Sequence, residues 1–185
     1  MEGYIAFLDI LGFSHSVGRD GFDEKLERFL SNIKDAVKDN SPSPQFAIAS
    51  DSIILTTQGN DLDHLRSLVS TVSQIQYNSL MNEDLAIRGG ITFGNFQRSV
   101  DSDGGVLVAG REVVAAYLLE QSQDWLGVVL APSIIERNRE LQDYFNTPRF
   151  NNEGHADELR RTGYANGQCL LSAMSEFRCK RSMNL

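Results

Sequence analysis

Two aspartates each stand beside a short apolar run that has the character of a buried strand. Asp9 follows residues 4–8, and Asp51 follows residues 46–50. A carboxylate next to a buried strand is costly to desolvate unless it has a partner. Two such carboxylates on different strands can share a pair of divalent cations, an arrangement that suits chemistry on phosphate groups. The pair therefore predicts metal-assisted phosphate chemistry.

The overall charge limits the partners of this chain. Its 185 residues carry a formal net charge of -8 at pH 7. An acidic surface repels DNA, RNA and anionic membranes, so we expect no nucleic acid polymer and no membrane as partner. A small anion such as a nucleotide remains compatible if metal ions offset its charge. The length predicts one domain over residues 1–185.

Cellular location and cysteine chemistry follow from what the sequence lacks. The chain shows no signal-peptide pattern and no apolar run long enough to span a membrane, so we expect a cytoplasmic protein. Cys169 and Cys179 have no nearby histidine and form no recognisable zinc site. We interpret both as free thiols without a functional role.

The elements that must position the two aspartates are readable from periodicity and turn residues. Predicted strands lie near residues 3–9, 45–50, 52–57, 85–94, 127–130 and 168–172. Predicted helices cover roughly residues 22–38, the segment after the N-cap Asp61, residues 110–121, and residues 132–144. A hairpin-like loop is expected at 97–105 and a loop or lid at 146–166. This order predicts an α+β fold of the ferredoxin-like split βαβ type, with a mainly antiparallel sheet and helices on one face.

Four motifs resemble those of class III nucleotidyl cyclases, in order and spacing. Residues 7–14, FLDILGFS, resemble the opening signature of that family, and residues 50–54 resemble its second metal site, usually glycine-aspartate. Residues 85–94 resemble its glycine-containing strand. Residues 110–119 occupy the place of the helix that begins glycine-x-x-valine-asparagine. The resemblance covers about residues 4–145 and implies a nucleotide cyclase.

The resemblance also implies the site residues. Asp9, Asp51 and the backbone carbonyl of Ile10 would hold two Mg²⁺ or Mn²⁺ ions. The turn that would present backbone N–H groups to the triphosphate consists of Leu11, Gly12, Phe13 and Ser14. Because metal and base sites in this family come from different subunits, a head-to-tail homodimer with shared active sites is implied.

Several positions depart from the purine cyclases. The base-reading positions hold Ala47 and Leu107, and neither side chain can hydrogen-bond a purine. The positions of the family's catalytic asparagine and arginine hold Val114 and Leu118. Charge on the α-phosphate therefore needs another cation, and Arg111 is our first choice.

Arg98 and Arg88 are the alternative candidates for that missing cation, and a surface role for Arg111 is the competing interpretation. Tyr117 is interpreted either as a core residue or as a base-stacking residue. Residues 6–13 and the pair Ala116–Tyr117 resemble the bacterial pyrimidine cyclases of anti-phage defence, the Pycsar system. That resemblance favours these cyclases over the purine enzymes.

We therefore predict a uridylate cyclase that makes cyclic UMP from UTP in anti-phage defence. A cytidylate cyclase acting on CTP is the first alternative, and a non-catalytic cyclase-like domain that binds a nucleotide or a partner is the second. A third alternative is the palm domain of a nucleotide polymerase or diguanylate cyclase, which shares the metal pair. The sequence lacks the glycine-glycine-aspartate/glutamate signature of that family at the second site, which argues against this alternative.

Overall fold

The elements of the chain are given by a computed structural model that describes residues 1–138, 164–165 and 168–171. The strands are β1 (Glu2–Ile10), β2 (Gln45–Ala49), β3 (Ser52–Thr56), β4 (Ile87–Asn95), β5 (Gln97–Val100), β6 (Val106–Ala109), β7 (Gly127–Leu130), β8 (Tyr164–Ala165) and β9 (Gln168–Leu171). The helices are α1 (Phe13–Ser16), α2 (Phe22–Asp39), α3 (Leu62–Glu83), α4 (Arg111–Gln121) and α5 (Pro132–Arg137).

Seven strands form one sheet in the order β2-β3-β1-β4-β7-β9-β8, and β5 and β6 form a separate hairpin. Among the described strands, β4 and β7 make the parallel pair, and the other ladders are antiparallel. The predicted α+β class with a mainly antiparallel sheet is confirmed. Strand β1 lies between β3 and β4, so its end is the natural meeting point of three strands.

One face of the sheet packs against α2 and α3. Tyr4, Ala6 and Leu8 of β1 are fully buried in this main core. Alternate residues of a strand point to one face, which explains why these three share it. From the helices, the core receives Phe29, Ile33, Leu65, Leu68, Val72 and Ile75. Asp61 begins α3 as predicted, because its side chain accepts a hydrogen bond from the His64 N–H at 3.0 Å.

Helix α4 lies on the opposite face, which corrects the expectation that the helices share one face. It packs Ala116 against Ile5 and Phe96 in a second, smaller core. The side chains of β1 are apolar on both faces of the sheet, so both faces must be buried by helices. The close contact of α4 with β4 depends on Gly90, where an added Cβ would lie 2.6 Å from the Ala116 carbonyl oxygen.

Three local expectations are settled by the described residues. The hairpin-like loop at 97–105 is the β5–β6 hairpin, and the strand expected at 168–172 is β9. The helix expected to reach residue 144 ends at Arg137, because Asn138 leaves the helical region and its Nδ2 donates to the Ile134 carbonyl at 2.9 Å. The proposed lid at 146–166 lies outside the described residues, apart from 164–165. Among the described helices, none combines the length and the apolar character needed to cross a bilayer.

Candidate functional site

Asp9 lies near the end of β1 with a neighbour on each side. Its register partners are Ser52 in β3 and Arg88 in β4. Its side chain is half-buried and points to the face that α4 covers, the same face as Phe7, because the strand alternates. The position of Asp9 is therefore set by the two longest-range ladders of the sheet.

Asp51 lies in the two-residue turn between β2 and β3. Its carbonyl oxygen accepts a hydrogen bond from the Ile10 N–H at 3.0 Å, which fixes the turn beside the end of β1. Ser50 has a left-handed backbone with φ 58°. Glycine adopts this conformation without a steric penalty, which gives a physical reason for the glycine-aspartate pattern of the resembled family. The structure thus brings Asp9 and Asp51 together, as the sequence predicted.

The electrostatics at Asp9 show that negative charge accumulates at this edge of the sheet. Burial, the carboxylate of Glu120 and the carboxylate of Asp51, in that order of importance, together raise the pKa of Asp9 from its ordinary 3.8 to about 6. The Arg88 guanidinium opposes them and lowers the pKa. A bound cation would remove this repulsion and favour the ionised form of Asp9.

The donor set fits Mg²⁺ or Mn²⁺ bound together with a nucleotide. In the described part of the chain, no three carboxylate, histidine or cysteine side chains form a metal cluster. Mg²⁺ in nucleotide sites is usually held by one or two carboxylates plus water and substrate phosphates, which is what Asp9 and Asp51 can supply. The side chain of Ile10 is buried in the core, so only its backbone can face a metal.

The turn after β1 offers fewer free N–H groups than the sequence suggested. The Leu11 N–H donates to the Ala86 carbonyl at 2.9 Å and is therefore already engaged. Within residues 1–138, no backbone acceptor is found for the N–H groups of Gly12, Phe13 and Ser14. Gly12 has φ 74°, and an added Cβ would touch nothing within 4 Å. Glycine is thus favoured here by backbone conformation.

The three residues predicted to lie near the base are spread over β2, β6 and α4. Ala47 pairs with Ile54 on the α4 face of the sheet, and Leu107 is exposed on β6. The Tyr117 ring packs edge-on against Phe7, with ring centroids 5.4 Å apart. Tyr117 therefore contacts the smaller core and is also partly exposed. Its contact residue, Phe7, lies two residues before Asp9 on β1.

An exposed stripe runs along α4 and contains the two positions where catalytic residues were missing. Val114 is 56% exposed and Leu118 is 59% exposed. Arg111 lies one turn before Val114 on the same side of the helix, with its side chain 93% exposed and its Nε 3.5 Å from Glu112 Oε1. An arginine therefore shares a helix face with both positions.

Arg111 is not beside the aspartates of its own chain. The Thr92 hydroxyl donates to the Glu112 carbonyl at 2.8 Å, and Thr92 pairs with Ile5. Ile5 is four residues from Asp9, or about 13 Å along the strand. The start of α4 thus lies well away from the metal pair within one chain.

The sequence reasoning missed a buried ion pair next to Asp9. Arg88 Nε donates to Glu120 Oε1 at 2.5 Å, and Glu120 is fully buried. Glu120 follows Val113 and Ala116 on the inward face of α4, and a carboxylate at that spacing signals a buried partner. The other two arginines considered are not part of this ion pair. Arg111 lies at the start of α4, and Arg98 Nε donates to Gln45 Oε1 at 2.7 Å.

Comparisons with known proteins support the fold. No protein-family model and no curated protein matches the chain. Among solved structures, the guanylate cyclase domain of RhGC from Catenaria anguillulae in complex with GTP has a TM-score of 0.61 and 16% identity, over 73% of this chain and 80% of that one. The adenylyl cyclase CyaB from P. aeruginosa has a TM-score of 0.62 and 14% identity, over 92% and 94%.

A third solved structure is a class III adenylyl cyclase-like ATP-binding protein from Pseudomonas aeruginosa. Its TM-score is 0.54 at 14% identity, over 74% of this chain and 34% of that one. At these identities the likeness concerns the fold. The chain has the class III nucleotide cyclase fold.

Proposed function

We propose that the protein is a nucleotide cyclase that converts UTP to 3′,5′-cyclic UMP and pyrophosphate, as a second-messenger source in anti-phage defence. The observation that carries the proposal is the juxtaposition of Asp9 and Asp51 at the end of β1, where burial and the carboxylates of Glu120 and Asp51 raise the pKa of Asp9 and so favour a cation beside it. The fold and the four motifs support cyclisation. The resemblance of residues 6–13 and of Ala116–Tyr117 to the pyrimidine cyclases supports the choice of substrate.

In the proposed reaction, the ribose 3′-oxygen forms a bond to the α-phosphorus. The bond from the α-phosphorus to the bridging oxygen breaks, pyrophosphate leaves, and the hydroxyl proton passes to solvent. Asp9 and Asp51 would hold two divalent cations, which when bound would neutralise charge on the triphosphate and lower the pKa of the 3′-hydroxyl. The N–H groups of Gly12, Phe13 and Ser14 donate to phosphate oxygens. Positioning and charge stabilisation then supply most of the rate.

The preference for a pyrimidine rests on Ala47 and Leu107. Neither offers a hydrogen bond to adenine or guanine, and a site that lacks those partners binds a purine weakly. The partly exposed Tyr117 is proposed to contact the smaller base. Cytosine is the alternative to uracil, so CTP and cyclic CMP are the corresponding substrate and product.

A head-to-tail homodimer is part of the proposal, because within the described residues of one chain Arg111 does not lie beside Asp9 and Asp51. Arg111 shares the exposed α4 stripe with Val114 and Leu118 but lies far from its own Asp9. In a dimer, that stripe faces the aspartates of the partner. Arg111 then supplies the positive charge that the resembled family takes from position 118.

The decisive test incubates the purified protein with Mn²⁺ and each of the four NTPs, and identifies products by mass spectrometry. We expect cyclic UMP from UTP and little product from ATP or GTP. Asp9→Ala and Asp51→Ala should each abolish the product, whereas Asp35→Ala, an exposed aspartate on α2, should not. Absence of any cyclic product, or full activity of either active-site variant, would refute the mechanism.

The second candidate is a non-catalytic domain that binds a nucleotide or a partner protein. It is favoured by the exposed apolar side chains at Val114 and Leu118, where catalysis in the resembled family needs polar groups. A structural neighbour that is described as an adenylyl cyclase-like ATP-binding protein supports this candidate. Calorimetric binding of an NTP without turnover would support this candidate.

A further inference from the structure

Two carboxylates, those of Asp9 and Glu120, are close enough to Arg88 to bind its guanidinium. Arg88 and Asp9 are backbone register partners in the β1–β4 ladder, so both side chains leave the sheet on the same face and within reach of each other. Its Nε nevertheless donates to Glu120. Among the described residues, no ion pair within 4 Å joins Arg88 to Asp9. The guanidinium is thus oriented toward α4.

A network fixes this orientation. Arg88 Nη1 donates to the Gln123 carbonyl at 2.8 Å, and Gln123 Nε2 donates to the Gly89 carbonyl at 2.7 Å. The second oxygen of Glu120 accepts from Gln121 Nε2 at 2.7 Å. Both carboxylate oxygens of Glu120 are therefore engaged within its own chain, so Glu120 is not placed to serve as a third metal ligand.

We propose that Glu120 is a positioning residue that holds the Arg88 guanidinium away from Asp9 and so leaves the Asp9 carboxylate available to a divalent cation. An arginine beside an aspartate competes with any other cation for the same oxygens. Without the buried anion on α4, the Asp9 carboxylate, which is the register partner of Arg88 across the β1–β4 ladder, becomes available to the guanidinium. The inference rests on the proposed metal role of Asp9 and Asp51.

The test measures Mn²⁺ binding to the purified protein, from the electron paramagnetic resonance signal of free Mn²⁺, together with the melting temperature. Glu120→Gln should weaken Mn²⁺ binding on the order of tenfold, which corresponds to the usual effect of an adjacent arginine on an aspartate. The double variant R88Q/E120Q removes the competing charge and should restore binding to near the wild-type level.

Glu83→Gln is the matched control. Glu83 is also buried and paired with an arginine, since Arg28 Nε donates to it at 2.8 Å between α2 and α3 on the other face of the sheet. Loss of that pair should lower the melting temperature and leave Mn²⁺ affinity unchanged. If E120Q does not fold, Glu120→Asp, which withdraws the carboxylate by one methylene, takes its place, with a weaker effect in the same direction.

The outcomes separate this inference from the proposed function. Unchanged Mn²⁺ affinity in the Glu120 variant, or a double variant as weak as the single one, overturns the positioning role and leaves only a structural ion pair. If Asp9→Ala and Asp51→Ala bind Mn²⁺ like the wild type, the metal site itself is wrong. Loss of binding in those two variants with no effect at Glu120 rejects the inference alone.

Discussion

Replacement of Asp9 by asparagine should stabilise the metal-free protein while removing its metal site. The folded state holds the Asp9 proton more tightly than the unfolded chain, since the pKa rises from 3.8 to about 6 through burial and the nearby carboxylates. Stability due to this group is therefore fully present below pH 3.8, declines between pH 3.8 and 6, and is lost above that range. Asparagine does not titrate and escapes this loss.

The magnitude follows from the same shift. A rise from 3.8 to about 6 corresponds to about 3 kcal/mol, and solvent screening of this partly exposed carboxylate reduces the effect to about 1 kcal/mol. Urea unfolding of Asp9→Asn and wild type should show little difference near pH 3.5 and a gain of about 1 kcal/mol for the variant at pH 8. Asp35→Asn, an exposed aspartate on α2, should stay within about 0.5 kcal/mol throughout.

Mn²⁺ provides a second readout of the same carboxylate. Because ligand binding to the folded state raises stability, Mn²⁺ should increase the unfolding free energy of the wild type and have little effect on Asp9→Asn. A variant that is less stable than wild type at pH 8, or a difference that does not change with pH, would refute the reasoning. Such a result would show that the folded, metal-free protein stabilises the ionised Asp9 carboxylate, contrary to the raised pKa.

Three other substitutions test separate parts of the structure. Ser50→Gly should raise the unfolding free energy by about 0.5 kcal/mol, because serine holds a left-handed conformation there; an unchanged urea midpoint would contradict the strain. Gly90→Ala should cost about 1–3 kcal/mol and lower the melting temperature, since its Cβ meets the Ala116 carbonyl; a neutral effect would mean that α4 moves freely on β4. Leu118→Glu should change monomer stability by less than about 0.5 kcal/mol and abolish the dimer in sedimentation experiments; a dimer of unchanged affinity would exclude the α4 stripe from the interface.

Much of the fold could be predicted because the signals are local. Short apolar runs located β1 and β3, helical spacing located α2 and α3, and Asp61 marked the start of α3 through its own side chain. The end of α5 could not be predicted in this way. Residues up to 144 continue a helical pattern in the sequence, but Asn138 turns out of the helix and caps it.

The site was predicted in part for the same reason. Asp9 and Asp51 each follow an apolar strand, and a hairpin joins β2 and β3, so their proximity needed only the β1–β3 pairing that the structure contains. Leu11 was predicted to offer its N–H to a phosphate, yet that group donates to Ala86. The acceptor lies 75 residues away in sequence, and no local pattern indicates such a contact.

The sequence by itself determined which residue types stand at the strand ends and which segments form strands and helices, because backbone conformation and amphipathic spacing are properties of short segments. Only the tertiary structure decided the side of the sheet that α4 covers and the direction in which it runs. Those two facts place Arg111 away from Asp9 and bring Glu120 to Arg88. Their physical cause is the packing of two apolar faces of one sheet, which depends on strand order and register across the whole chain.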